Sequence, residues 1–507
     1  MKEKILNKER KNRNPHFVNG KTTVLPTNLP TENQVGKITQ RIDTEDNTTK
    51  NPHTKRVYIE SYGCAMNFSD SEIVASILNK EGYTLSKNPE EANLILINTC
   101  SIRDKAEQTI RKRLKLFSKY KKNTNELKIG ILGCMAERLK EKLLIEEKIV
   151  DLVVGPDAYR DLPNLIDNLK DDKRVINTIL SLEETYEDII PLKINSNGIN
   201  AYISIMRGCD NMCSFCVVPF TRGRERSRNP YTIVEEAKDL FRKGYREITL
   251  LGQNVDSYKW SEKINNKKKL EKNLELKDDI ISFTNLLEMV AKISSDLRIR
   301  FSTSHPKDIT KDVLEVIKSN ENICNYIHLP AQSGNSRILK MMNRTYDRDW
   351  YLNKVMDIKN ILGNECGISS DFIAGFCSET EVEHQDTLSL MDEVIYDYSY
   401  MFYYSERPGT LAQRKYDDNI TLETKKRRLS EIINKQKEHS LKRNNLSIGN
   451  RYKVLIEGNS RKSNDYLKGR TSENKVVIFP KRKSRNNLYV DVEIKTCNSA
   501  TLFGEIA

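Results

Sequence analysis

A chain of 507 residues is too long for one hydrophobic core, so two to four domains are expected. No apolar run approaches the ~18–20 residues of a membrane-spanning helix, and the basic N-terminus lacks the apolar stretch of a secretory signal. A cytoplasmic protein without a membrane partner is expected. Charged residues make up 31% and the formal net charge is +13. That excess favours polyanionic partners through steering and counterion release, but a surface simply rich in Lys and Asn fits it equally well. The ten cysteines, in a chain with no export signal, read as metal ligands or reactive thiols before disulfides.

Residues 1–54 read as a disordered polar tail. Alternation of strand and helix patterns begins at Val57, and 55–171 form a first domain. Strands are expected at 57–60, 93–98, 128–132 and 152–154. Helices are expected at 68–80, capped by Ser69 or Asp70, at 102–120 and near 137–147. This order predicts a doubly wound parallel sheet. Cys64, Cys100 and Cys134 each follow the carboxyl end of a predicted strand. In such sheets those ends share one ligand-binding edge, so three remote thiols can converge. Three separate buried cysteines are the plainer alternative.

Residues 172–200 read as a linker with an irregular strand or two. A second alternating region, 201–446, has strands at 201–206, 247–251, 297–302, 325–329, 367–373 and 398–404. Helices fall near 233–243, 284–293, 311–319, 333–341, 350–362 and 381–396. Six such steps predict a partial (β/α)6 barrel, with a full eight-stranded barrel as the alternative. The lysine-rich stretch 261–279 reads as an insertion, and a basic helix near 422–445 leads out. Residues 447–507, with strands at 452–456, 475–479 and 488–494, predict a small β-barrel of OB-like size. Residues 440–507 hold 14 Lys and Arg against 6 Asp and Glu, which points to RNA binding.

The stretch Cys209-Asp-Asn-Met-Cys213-Ser-Phe-Cys216 spaces three thiols C-x3-C-x2-C just beyond the first barrel strand. Thiolates favour zinc or iron–sulfur clusters, and a closed site takes four protein ligands. Three leave one position open. The longer string from Met206 to Arg228 resembles the methylthiotransferases of the radical S-adenosylmethionine (SAM) superfamily. Asn98-Thr-Cys-Ser-Ile-Arg-Asp-Lys-Ala-Glu-Gln108 and Leu251-Gly-Gln-Asn-Val-Asp-Ser-Tyr258 are similar to the branch acting on isopentenylated (dimethylallyl) adenosine of tRNA. So are 302–306, 328–334 and 404–410. The resemblance spans 57–507 and includes a C-terminal TRAM domain. One departure stands at 375–380, where the usual Gly-Phe-Pro-Gly-Glu-Thr reads Gly-Phe-Cys-Ser-Glu-Thr.

The resemblance implies two [4Fe–4S] clusters. Cys209, Cys213 and Cys216 would hold the one that binds and cleaves SAM; Cys64, Cys100 and Cys134 would hold an auxiliary one that carries sulfur. The C2–H of adenine cannot be removed by a side-chain base near neutral pH, so the radical is a cofactor's task. Phe215, Gly375 and Glu379 are implied to contact SAM. Gln253 and Asn254 end the second strand and read as contacts to SAM or the base, or as loop caps. Partners would be tRNA carrying N6-(dimethylallyl)adenosine, a reductant protein and a sulfur donor. Alternatives are a methylthiotransferase for threonylcarbamoyl-adenosine or for a ribosomal-protein aspartate, and a non-catalytic zinc-containing RNA-binding protein. Arg222, Arg224, Arg226 and Arg228 read as phosphate or SAM contacts, or in part as ordinary ion-pair partners. Cys377 reads as structural, and Tyr403-Tyr404 as barrel core.

Overall fold

The computed structural model describes residues 55–101, 104–123, 126–171, 174–194, 196–262, 280–481 and 488–507. The tail 1–54 and nearly all of the 261–279 insertion lie outside the described residues. In the N-terminal unit, β1 (Arg56–Tyr62), β2 (Thr84–Leu85), β3 (Leu94–Thr99), β4 (Lys128–Leu132), β5 (Leu152–Val154) and β6 (Val175–Asn177) form one parallel sheet. Its order is β2-β1-β3-β4-β5-β6. Successive side chains of a strand point to opposite faces. Accordingly Val57, Ile59, Leu94 and Leu96 enter one core with α1 (Ala65–Lys80) and α5 (Leu162–Asp167). Tyr58, Tyr62, Ile95 and Ile97 enter the other, with α2 (Asp104–Asn123), α3 (Cys134–Leu139) and α4 (Glu141–Glu146). The sheet is doubly wound, as expected.

Three details differ from the sequence expectation. α1 starts at Ala65 with Cys64 in the N-cap position, so Ser69 and Asp70 lie inside the helix instead of capping it. The helix expected near 137–147 is broken at Lys140, whose φ is 49°. β6 lies within the stretch read as linker and pairs with β5; Tyr186 and Ile189, farther along that stretch, are buried in the same core.

The central unit has six parallel strands in two three-stranded sheets. β7 (Asn200–Ser204), β10 (Glu247–Leu251) and β13 (Arg298–Ser302) make the first. β14 (Tyr326–His328), β15 (Gly367–Ala374) and β16 (Tyr398–Tyr403) make the second. A parallel bridge between Ile299 and Ile323 joins them. This is a partial six-step barrel with helices such as α7 (Pro230–Arg242) outside. Two short ribbons flank it: β8 (Met206–Arg207) with β9 (Arg226–Ser227), and β11 (Lys259–Trp260) with β12 (Ile281–Ser282).

The C-terminal unit closes five strands into a barrel: β17 (Arg451–Asn459), β18 (Tyr466–Arg470), β19 (Val476–Pro480), β20 (Tyr489–Cys497) and β21 (Leu502–Ile506). β18 and β21 add to the three strands legible in the sequence. This unit packs against the amino ends of the central strands. Arg298, the first residue of β13, donates to Arg470 O at 2.6 Å and Lys453 O at 3.1 Å. Arg300 donates to Thr471 O and Ser472 O and to Glu247. A Cβ on Gly367 would lie 2.4 Å from Glu473 O. The N-terminal unit meets the opposite end, where Ala65 and Met66 pack on Leu251, the last residue of β10. Among the described residues no helix is long and apolar enough to cross a membrane.

Candidate metal centres and active site

The parallel order brings the first cysteine trio together. Cys64 follows β1, Cys100 follows β3, and Cys134 opens α3 after β4. The chain turns sharply before two of them: Gly63 has φ 117° and Gly133 φ 87°. A Cβ on Gly63 would lie 2.2 Å from Cys100 Cβ, so only glycine lets the two strand ends approach. Asn98 and Asn67 clasp the same edge. Asn67 Nδ2 donates to Asn98 Oδ1 at 2.9 Å, and Cys64 Sγ donates to Asn67 Oδ1 at 3.1 Å. Contact with Cys100 pulls the Cys64 thiol down to about 6, helped by the Arg222 charge and opposed by burial. Burial pushes the Cys134 thiol up.

The second trio sits on the loop after β7 and β8, at the carboxyl ends of the barrel strands. Gly208 (φ 74°) lets this loop fold against 223–224, where a Cβ would meet Arg224 O at 2.0 Å. Cys209 N donates to Gly223 O at 3.2 Å and Cys216 N to Cys213 O at 3.0 Å. Arg344 Nη1 donates to Cys213 Sγ at 3.2 Å. Burial pushes the Cys209 thiol up to about 12 and Cys216 higher still. None of the ten cysteines is in a disulfide.

A short helix links the two trios. α6 (Val218–Arg222) follows Cys216, and its last residue, Arg222, donates through Nε to Cys134 Sγ at 3.1 Å. Arg222 also donates to Asp70 at 2.7 Å, and Arg207 takes the other Asp70 oxygen at 2.8 Å. Burial alone would raise the Asp70 carboxyl, but Arg207 and Arg222 outweigh it and hold it below the usual range. Arg226 pairs with Asp157 and Arg228 with Glu236. Only Arg224 of the four is exposed. The arginine string is therefore chiefly an ion-pair latch between units. Sequence reasoning gave Asp70 only a capping role and assigned Asn67, Asn98 and Arg344 no site role, since their bonds to one another, to Arg207 and to Cys213 span 31 positions or more.

Three family descriptions match consecutive parts of the chain: uncharacterized protein family UPF0004 over 56–155, the radical SAM superfamily over 203–391, and the TRAM domain over 446–507. A tRNA-2-methylthio-N(6)-dimethylallyladenosine synthase of Amoebophilus asiaticus is 60% identical over 470 residues, 93% of this chain and 96% of the relative. One of Christiangramia forsetii is 58% identical over 457 residues, 90% and 95% of the two chains. The chain belongs to the tRNA-2-methylthio-N(6)-dimethylallyladenosine synthase family. Among solved structures, the radical SAM methyltransferase TsrM of Kitasatospora setae, with cobalamin and a [4Fe–4S] cluster bound, matches 71% of this chain and 74% of that one. Its TM-score is 0.51 at 12% identity, a likeness of fold alone.

For this family the donor chemistry fits two clusters. Each trio offers three soft thiols and leaves one coordination position unfilled by the three cysteines. Buried polar atoms without protein partners include Ser214 Oγ, within the loop of the second trio, and Gln253 Oε1, just beyond β10. Atoms of that kind are satisfied by a polar ligand such as SAM. Phe215 packs on an apolar cluster of Ile338, Met342, Phe376, Cys377 and Tyr404.

The remaining expected SAM contacts are engaged with protein. Asn254 Nδ2 donates to Asp308 at 2.7 Å, while its Oδ1 accepts from His305 N at 3.0 Å, so this side chain pins a loop. Glu379 accepts from Gly375 N at 2.7 Å and from Arg428 at 3.0 Å. It closes the turn after β15, and burial raises its carboxyl to about 7. Within that turn Cys377 is buried among apolar side chains. Ser378 holds φ 59° at the place of the glycine in the resembled pattern, steadied by Asn419 and Arg337. The tyrosine pair divides: Tyr404 is core, whereas Tyr403 is 37% exposed at the end of β16.

Proposed function

We propose that this chain methylthiolates C2 of N6-(dimethylallyl)adenosine next to the anticodon of tRNA, giving the 2-methylthio form. The observation that carries the reading is the pair of three-thiol sites joined through α6 and Arg222, within 3.1 Å of Cys134. Cys209, Cys213 and Cys216 would hold the SAM-binding [4Fe–4S] cluster, and Cys64, Cys100 and Cys134 the auxiliary one. When bound, these clusters and SAM supply the radical that takes the C2 hydrogen, and the sulfur that replaces it.

The chain's own residues join the two sites. Ala65 and Met66, next to Cys64, pack on Leu251 of the central unit. The fork of Arg207 and Arg222 on Asp70 fixes one thiol site relative to the other. Ser214 and Gln253 offer unpaired polar groups to SAM. The five-stranded basic barrel supplies phosphate contacts for tRNA. A cytoplasmic location, a reductant protein and a sulfur donor belong to the same reading. The high identity to dimethylallyladenosine enzymes disfavours the other methylthiotransferase targets.

Anaerobic purification with metal analysis tests the sites. About eight irons and eight sulfides per chain are expected for two clusters; stoichiometric zinc without iron would refute the reading. Cys64→Ala should keep SAM cleavage and lose methylthiolation, whereas Cys213→Ala should lose both. Full methylthiolation by either variant would contradict the ligand roles.

A further inference from the structure

Arg222 stands where the two thiol sites meet, and its charge is only partly offset. Arg222, Asp70 and Arg207 are each no more than 2% exposed. One Asp70 carboxylate faces two guanidinium groups. Asp157 lies 3.5 Å from Arg207 and 3.0 Å from Arg226. Three buried arginines thus share two carboxylates beside Cys134. Arg222 also directs an N–H at the sulfur itself, 3.1 Å away. A cationic donor to a cluster sulfur favours the reduced, more negative state, and such hydrogen bonds set iron–sulfur potentials. At the other trio Arg344 makes the equivalent bond to Cys213, with its remaining donors on Pro330 O and Tyr346 OH. Each site therefore has its own arginine-bound sulfur.

We infer that Arg222 is a positioning residue of the auxiliary site, fixing Cys134 and raising the reduction potential of the cluster held with Cys64 and Cys100. This rests on the ligand assignment proposed above. The couple concerned is the one-electron reduction of a [4Fe–4S] cluster from the 2+ to the 1+ state. A purely structural arginine would give neither a potential shift nor a sign that follows charge.

The test uses full-length protein carrying Cys209→Ala, Cys213→Ala and Cys216→Ala, so that only the auxiliary site is loaded. After anaerobic reconstitution it is titrated with dithionite under EPR. Arg222→Lys, which keeps the charge but loses the forked donor, should move the potential negative, and Arg222→Gln should move it farther. Asp70→Asn is nearly isosteric, removes the opposing charge and should move it positive. It keeps the inference testable if Arg222→Gln fails to fold. Arg344→Gln should leave this potential in place. An unchanged potential in the Arg222 variants, or a negative shift in Asp70→Asn, would overturn the inference. A parent triple variant that binds no iron would instead overturn the ligand assignment.

Discussion

At the scale of single residues, the site depends on places where a side chain would not fit. Gly63 combines a left-handed φ with a backbone approach that a Cβ would close to 2.2 Å from Cys100 Cβ. Gly63→Ala should therefore push the β1 and β3 ends apart and empty one thiol site. Iron should fall by roughly half while SAM cleavage persists, as iron analysis of the purified variant would show; full iron content would contradict this. Ser378 occupies a left-handed position that costs an ordinary residue roughly 1 kcal/mol. Yet its backbone N–H and C=O are held by Asn419 and Arg337. The departure from the resembled pattern at 377–378 is thus absorbed locally, with Cys377 in the apolar cluster on which Phe215 packs.

At the scale of elements, the strands around both sites were legible in the sequence. The expected strands at 128–132, 152–154 and 247–251 coincide with β4, β5 and β10. Each is an apolar run bounded by loops, the plainest signal a buried strand gives. The cysteines could be placed at strand ends for the same reason. β2 is two residues long, and β18 (Tyr-Leu-Lys-Gly-Arg) mixes polar residues with glycine; neither carries a period to read. The cap at Cys64 was hidden because the polar residues Asn67, Ser69 and Asp70 are buried, Asn67 against Asn98 of the same unit and Asp70 against Arg207 of the central unit. Asn254 takes the loop-capping role that stood beside SAM or base binding, and Glu379 clasps Arg428, a partner 49 positions away that no local pattern shows.

The C-terminal barrel docks on the central unit through buried arginines. Arg300 joins Glu247 to two carbonyls of that barrel. Removing one partner of a buried pair leaves the other charge uncompensated, at about 3–5 kcal/mol. Arg300→Ala should lower the thermal midpoint by several degrees, measured by scanning calorimetry; an unchanged midpoint would show that Glu247 finds another partner.

At the scale of the whole molecule, the two outer units occupy opposite ends of the central strands. The N-terminal unit covers the carboxyl ends, where both thiol trios lie, and the basic barrel covers the amino ends. An RNA bound by both must reach along the central unit. Phosphate contacts of this kind make affinity salt-dependent, so tRNA binding should weaken more than tenfold from 50 to 200 mM salt. Fluorescence anisotropy would show it, and salt-independent binding would exclude a phosphate-led interface.

Acid should loosen the C-terminal barrel. Burial opposes ionisation of Glu457, but Arg470 and Lys468 outweigh it and hold its carboxyl at about 2 instead of 4.5. A depressed acid contributes fully above the unfolded value. That stability, about 3 kcal/mol, should be lost as pH falls from 4.5 toward 2. Glu457→Gln should flatten the corresponding part of the unfolding profile.

Nucleoside mass spectrometry decides whether the chain methylthiolates tRNA. The chain is expressed in a bacterium deleted for its own methylthiotransferase, and total tRNA is digested. N6-(dimethylallyl)adenosine is expected to be converted to its 2-methylthio form, and Cys64→Ala and Cys213→Ala are expected to leave it unconverted. Unmodified N6-(dimethylallyl)adenosine in cells making the iron-loaded wild-type chain would contradict it.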